Sequence, residues 1–386
     1  MSNTVSVKPE LFRWAIKRSG LAFADLSAKI PQLSAWQSGQ KEPTMRQLEE
    51  FAKRTMTPLG YLFLSKPPVE KFAIPDFRTK TDHAPKQPSP NLIETLHDMQ
   101  RRQEWMRDYL IEEGHDALAF VGSAKTSDPI VKVAAEIRRV LGLDDDWSEH
   151  CANWEDALRK LRDSMDEVGI MVATSGVVGL NNRRKLDPDE FRGFVLSDSH
   201  APLVFVNGAD TKSAQMFTLA HELAHVWLGK DGLFNLVNTM PGDDEAEKYC
   251  NRVAAEFLVP AEAMRANWPE VADSANPFDK LARTFKVSPI VIARRALDLR
   301  FIDQSRFFAF YRQKQLEWEK NKEKKETSGG NFYATQAVRL GRKFSSTVVR
   351  AVRADKLLYR SAYQLTGLSG QTFDSYATRI LREPGA

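Results

Sequence analysis

Leu219-Ala220-His221-Glu222-Leu223-Ala224-His225 is the stretch on which the reading of this chain turns. It is a His-Glu-x-x-His run among residues that favour helix. Positions four apart on a helix share one face, a turn above each other. Imidazoles at 221 and 225 can therefore each offer one nitrogen to a single divalent ion. Glu222 follows the first of them directly and is placed to act as a general base toward water. The alternative, two surface histidines on a solvated helix, sits badly with the flanks. Ala220, Leu223, Ala224, Val226, Trp227 and Leu228 are apolar, which points to burial. A buried imidazole needs a partner, and a shared cation serves two at once.

A catalytic site of this kind needs a third protein ligand and an open position. The next acidic cluster, Asp243-Asp244-Glu245-Ala246-Glu247, leads into a second helical segment that Pro260 ends. Its apolar residues Cys250, Val253, Ala254, Phe257 and Leu258 recur at intervals of three and four. Glu247 lies three before Cys250 and seven before Ala254, beside that stripe, where a carboxylate needs a cation or a hydrogen bond. Asp243, Asp244 and Glu245 suit the first turn and its dipole, and Glu245 competes with Glu247 for the ion. Glu256 reads as a solvated residue or a support behind the ligands.

Phe217-Thr218-Leu219-Ala220-His221-Glu222-Leu223-Ala224-His225, with the later Glu247-x-x-x-Asn251-x-x-Ala254-Ala255-x-x-Leu258-x-Pro260, resembles the ImmA/IrrE family of zinc metallopeptidases. The resemblance implies that His221, His225 and Glu247 bind zinc and that Glu222 activates water. It implies a zincin-like peptidase domain, hence a zinc metalloendopeptidase. The family usually has Ala-Asn at Cys250-Asn251 and Phe at Val253; both departures fall at packing positions. Manganese or iron can use the same donor set. Cys250 reads as a small core residue, Cys151 beside His150 as packing, and His200 as a turn residue.

The N-terminal residues carry another pattern. Leu11-Phe12 and Ala15-Ile16 read as one helix stopped by Gly20, Asp25 to Ile30 as a second, a short third starting at Pro31, and Met45 to Thr55 as a fourth. Leu59 to Phe63 close the unit. Short helices joined by tight turns suit a helix-turn-helix bundle. The run Ser34-Ala35-Trp36-Gln37-Ser38-Gly39-Gln40-Lys41-Glu42-Pro43-Thr44 resembles the Xre-type repressors. Little room remains between Ile30 and Trp36 for a full recognition helix. The residues this resemblance would turn toward DNA are Gln32, Ser34, Ala35 and Gln37, none of them cationic, with Lys29, Lys41 and Arg46 toward phosphate.

Between these regions, prolines over residues 64–92 exclude regular structure. A charged helix from about Leu92 to Glu113 has the composition of a spacer or dimer arm. The peptidase region should carry strands at Gly169 to Ala173, Phe191 to Leu196 and Pro202 to Asn207, with Asp198-Ser199-His200 as a hairpin turn. An open edge of that sheet can hold an extended peptide by main-chain hydrogen bonds. Phe278 to Ile302 reads as a structural helix pair in which Ser288-Pro289 starts the second helix. In the last sixty residues Tyr333, Val338, Leu340, Phe344, Val348, Val349, Leu357, Leu358, Tyr359, Tyr363, Leu365 and Phe373 are a candidate helical core. This tail resembles the larger ImmA/IrrE-type proteins encoded beside PIN-type ribonuclease toxins.

Charge is unevenly spread. Residues 1–66 hold ten Lys/Arg against five Asp/Glu and residues 327–386 hold nine against three, around an acidic middle. Basic ends suggest anionic partners. No apolar run reaches about 18 residues, Met1 to Val5 has no secretory-signal pattern, and two cysteines make no disulfide framework. A cytoplasmic protein without a membrane partner is the expectation.

The expected architecture is α+β. A helix-turn-helix domain at 1–66 leads to a linker and long helix at 67–126, a peptidase domain at 127–326 and a basic C-terminal domain at 327–386. Two functions from different classes follow. One is a zinc peptidase acting on a regulatory protein. The other is an antitoxin or transcriptional regulator that binds operator DNA and a PIN-type toxin, with proteolysis secondary or absent; the chain would act alone or as a homodimer.

Overall fold

The computed structural model describes residues 4–69, 88–234, 245–322 and 332–382. The chain divides into two compact units, 1–97 and 98–386. No helix among the described residues is long and apolar enough to cross a membrane.

The first unit is built from α1 (Pro9–Ser19), α2 (Phe23–Lys29), α3 (Leu33–Gln37), α4 (Met45–Arg54) and a 3-10 turn, Leu59–Phe63. Gly20 ends α1 at φ 66°, a left-handed position that suits glycine. Thr44 and Gln47 form a reciprocal capping box at the start of α4. Phe12, Trp36 and Phe51 pack ring against ring at the centre, with Leu11, Leu33 and Leu48 fully buried around them. The third helix starts later than the sequence suggested. Ile30 is held out of helical geometry before Pro31, and a turn closed by Leu33 N–H on Ile30 C=O comes first, leaving α3 only five residues long.

The second unit opens within α5 (Pro90–Glu112), of which residues from Asp98 onward belong to it. It continues through α6 (Ile130–Val140), α7 (Trp154–Glu167), β1 (Met171–Ser175), β2 (Val177–Val178), β3 (Asn181–Lys185), β4 (Gly193–Leu196), β5 (Leu203–Asn207), α8 (Lys212–Leu228), β6 (Gly232–Phe234), α9 (Glu245–Leu258), α10 (Ala261–Val271), α11 (Pro277–Phe285), α12 (Pro289–Asp298) and α13 (Gln304–Lys322). The tail adds α14 (Phe332–Leu340), α15 (Arg342–Arg353), α16 (Tyr359–Thr366) and α17 (Gly370–Ile380).

Four strands form one sheet in the order β1-β5-β4-β6, with β1 parallel to β5 and the other pairs antiparallel. Alternation along the strands sorts the side chains. Val172, Val195, Val204 and Val206 join the core shared with α7, α8 and α9, while Phe194 and Phe205 stack on each other outside that cluster. The β4–β5 turn is closed as expected, with Asp198 Oδ1 accepting from the backbone of His200 and Ala201. The polar β2–β3 hairpin and the three-residue β6 had no alternating signature to reveal them.

The sheet's edges are not those of the three strands the sequence suggested. On one side β6 pairs along β4. On the other α14 packs along β1, and Gly341, at φ 82°, brings its main chain so near Val172 O that a Cβ there would lie 2.7 Å from it.

The charged helix α5 is more than a solvated spacer. Gln103 Nε2 donates to the carbonyls of Leu196 and Ala201, Arg102 Nε donates to Leu365 O, and Trp105 meets Phe344 edge-on. In the tail Leu340, Phe344, Val348, Val349 and Phe373 are buried as expected. Leu358 and Tyr359 are exposed instead, at the turn where α16 begins.

Asp166, near the end of α7, accepts the Lys343 backbone N–H at the start of α15. Burial, opposed by those backbone hydrogen bonds, raises its pKa to about 7. The folded chain then keeps a proton that the unfolded chain releases. Stability should fall by about 1 kcal/mol per pH unit as pH rises from about 4 to about 7, and level off above. Asp166→Asn should remove that component, so the difference between variant and parent in urea unfolding should grow from pH 5 to pH 7. Parallel profiles would contradict this.

Candidate metal centre

α8 runs through the middle of the second unit and is buried on nearly every face. Thr211 caps its start by accepting from Ala214 N–H, and Gly229 ends it in the left-handed conformation. Such a helix is apolar all round except where function requires otherwise. Its exceptions include His221, Glu222 and His225, with relative exposures of 0%, 0% and 3%.

α9 packs along α8. Its stripe of Cys250, Val253, Ala254, Phe257 and Leu258 is buried as the periodicity required, and Cys250 lies in the core. One turn before Asn251, Glu247 reaches the two imidazoles. Its Oε2 lies 3.2 Å from His221 Nε2 and its Oε1 3.1 Å from His225 Nε2, and the two Nε2 atoms are 3.1 Å apart. Among the described residues these three form the one cluster with the spacing of a metal site. Glu245 is exposed in the first turn of α9 and outside that cluster; Asp243 and Asp244 lie outside the described residues.

The donors suit a cation on physical grounds. Zinc bonds of about 2.0–2.2 Å in a tetrahedron hold ligand atoms roughly 3.3–3.5 Å apart, close to this triangle. Burial keeps His221 neutral by lowering its pKa. Burial opposes charge on Glu247 as well, yet the hydrogen bonds with His221 and His225 outweigh it and hold the carboxyl well below the usual range. A neutral His221 and an ionised Glu247 are the protonation states a divalent ion requires of those two donors. Asn251 Oδ1 lies 3.1 Å from His221 Nδ1, placed to accept its proton when Nε2 is given to an ion. Asn251 stands one turn after Glu247, a spacing visible in the sequence, although its bond to His221 needs the fold.

Glu222 supplies the clearest sign that a further group belongs here. Both carboxylate oxygens are buried with no hydrogen-bond partner among the described residues. Burial, and then the charge of Glu247, raises its pKa well above the ordinary carboxylate range. An unpartnered buried carboxyl is costly, and a water polarised by a cation would satisfy it. Gly193 on β4 makes room: a Cβ there would lie 2.5 Å from Thr218 Cγ2, 2.8 Å from Phe205 O and 3.3 Å from Glu222 Oε1. Nothing local marked Gly193 as part of the site.

Glu256 is not solvated; it is buried and ion-paired with Arg295 of α12.

This geometry defines a class: a pocket for one divalent ion, held by a helical His-Glu-x-x-His pair and a glutamate from the next helix, with a free carboxyl alongside. Comparison with known families agrees. The peptidase M78 family, described as the IrrE N-terminal-like domain, matches residues 166–297, the region that contains all four residues. A second family, described only as a domain of unknown function, matches residues 340–379 of the tail. No curated protein matches the chain. The central region is therefore metallopeptidase-like and supports the ImmA/IrrE resemblance over those residues.

Metal should stabilise the fold measurably. An ion bound only by the folded state adds about 4 kcal/mol at a thousandfold excess over its Kd. Thermal unfolding with zinc, and again after a chelator, should show that difference, and His225→Ala should lose most of it. Equal melting temperatures in all samples would mean that the triangle holds no cation.

Proposed function

We propose that this chain is a zinc-dependent metallopeptidase that hydrolyses a regulatory protein. The observation that carries this reading is the convergence of His221, His225 and Glu247 beside the unpartnered carboxyl of Glu222. His221, His225 and Glu247 would hold the ion, which supplies Lewis-acid polarisation of a scissile carbonyl and of water. Asn251 fixes the His221 ring. Glu222 in its ionised form, which burial makes a stronger base, takes a proton from water and delivers it to the leaving amine. Gly193 lets β4 lie close against Thr218 and Glu222 of α8. The test is cleavage of candidate regulator proteins by metal-stripped and zinc-reloaded chain, followed by mass spectrometry. Fragments that form equally in both samples, or in neither, would overturn it.

A second reading, an antitoxin or transcriptional regulator that binds operator DNA and a partner toxin, is favoured by one feature of the first unit. Gln32, Ser34 and Lys41 are exposed and Gln37 is half-buried, and Gln32 lines a groove with Lys29, Arg46 and Glu50. Under this reading those amides and hydroxyls read base edges while the cations touch phosphate. Full-length chain should then shift the DNA upstream of its own gene with an affinity that falls steeply with salt. Lys29→Ala with Arg46→Ala should weaken it on all sequences alike. Absence of any shift at low salt would end this reading.

A further inference from the structure

We propose that β6 is a built-in stand-in for substrate, occupying the strand edge on which an extended peptide must add, so that binding exchanges one strand for another. This rests on the peptidase reading above. β4 lies between β5 and β6, and β6 runs antiparallel to it, with Gly193 opposite Phe234, Phe194 opposite Leu233 and Val195 opposite Gly232. Gly193 is also the residue whose missing Cβ would point at Glu222, 3.3 Å from its Oε1. Among the sheet's main-chain donors and acceptors, those along this side of β4 are therefore the ones beside the catalytic carboxyl, and β6 has taken them.

Two places remain for an extended peptide: the outer side of β6, or the place of β6 itself. Neighbouring strands stand about 4.8 Å apart, so a peptide on the outer side would lie one strand spacing farther from Glu222. Misplacement by about 1 Å already costs heavily in a proton-transfer geometry. Adding to β4 directly keeps the peptide in reach.

The build of β6 suits exchange. It is three residues long, begins three residues after the glycine that ends α8, and is tied at its start by Asp231, which accepts the Ser197 N–H. Short strands with few pairings belong to the readily opened parts of a fold, and a longer peptide offers more ladder bonds in return. The inference also gives the sheet edge an occupant in the free chain, where an exposed one would invite aggregation.

Amide hydrogen exchange on the full chain tests this. In the metal-free protein, amides of Gly232–Phe234 should exchange at least about tenfold faster than those of Val204 and Val206 in the central strand. With zinc and a short peptide ending in a hydroxamate, β6 amides should lose protection while those of Gly193–Val195 keep it. Phe234→Pro deletes the β6 main-chain donor that faces Gly193. It should hold the peptide about tenfold more tightly, with zinc stoichiometry unchanged. β6 amides as slow as those of the central strand, β6 remaining protected when peptide is bound, or unchanged affinity in Phe234→Pro would each overturn the proposal. So would a zinc-loaded chain that holds no peptide in either form, whereas failure to bind zinc at all would overturn the peptidase reading beneath it.

Discussion

Replacing Glu222 with Gln is expected to cut peptide hydrolysis by about 10²–10⁴-fold, the range that a positioned general base contributes, while one zinc per chain is retained. The separation of the two effects follows from the site. The proposed metal donors are His221, His225 and Glu247, whose mutual distances of 3.1–3.2 Å do not involve Glu222. Glu222 sits one position away on the same helix with both oxygens unpartnered. Gln keeps the volume but cannot take a proton. A fall in kcat at constant KM would place the loss in the chemical step. His225→Ala should instead lose metal and activity together, since it removes one corner of the triangle. If Glu222→Gln hydrolyses as fast as the parent, Glu222 is not the base. If it still performs the cellular function without hydrolysing anything, the regulator reading gains and proteolysis becomes secondary.

The parts of this site that could be read from sequence are those set by short spacing. His221 and His225 are four apart on a helix whose flanks are apolar, and both burial and convergence follow from that period. Glu247 beside the stripe of Cys250 and Ala254 could be placed near the ion, but only the fold separates it from Glu245, which points to solvent one half-turn earlier. Gly193 could not be read: its importance is the approach of β4 to α8, and an isolated glycine before Phe194 carries no such information. The same holds for β6, whose three residues are too few for a pattern. In the first unit the helices followed from their caps and apolar periods, while Pro31 displaced the start of α3 through its effect on Ile30. In the tail, Leu358 and Tyr359 look like core by composition, yet a short interhelical turn leaves them outside. Glu256 was misread because its partner, Arg295, stands 39 positions away, beyond the reach of any local rule.

That distant pair carries the other large expected effect. Arg295→Met should destabilise the chain by about 3–5 kcal/mol, because it strands a buried carboxylate. Glu256 and Arg295 side chains are 6% and 9% exposed. Arg295 Nε also donates to Val259 O at 3.0 Å, and Arg138 Nη1 donates to the carbonyls of Glu256 and Phe257 at 3.1 Å each. Two guanidinium groups thus take up carbonyls that the end of α9 leaves without helical partners, where the dipole also favours positive charge. Glu247 stands at the other end of that helix, so a shift of the C-terminal end moves a metal ligand, and zinc affinity should fall along with stability. Combining Arg295→Met with Glu256→Gln removes the stranded charge and should recover much of the loss, a coupling that a double-mutant cycle in urea measures directly. A Glu256→Gln effect that is the same in the parent and in Arg295→Met would mean that the pair is not coupled. A single variant within about 1 kcal/mol of the parent would mean that α9 is held by its apolar stripe alone.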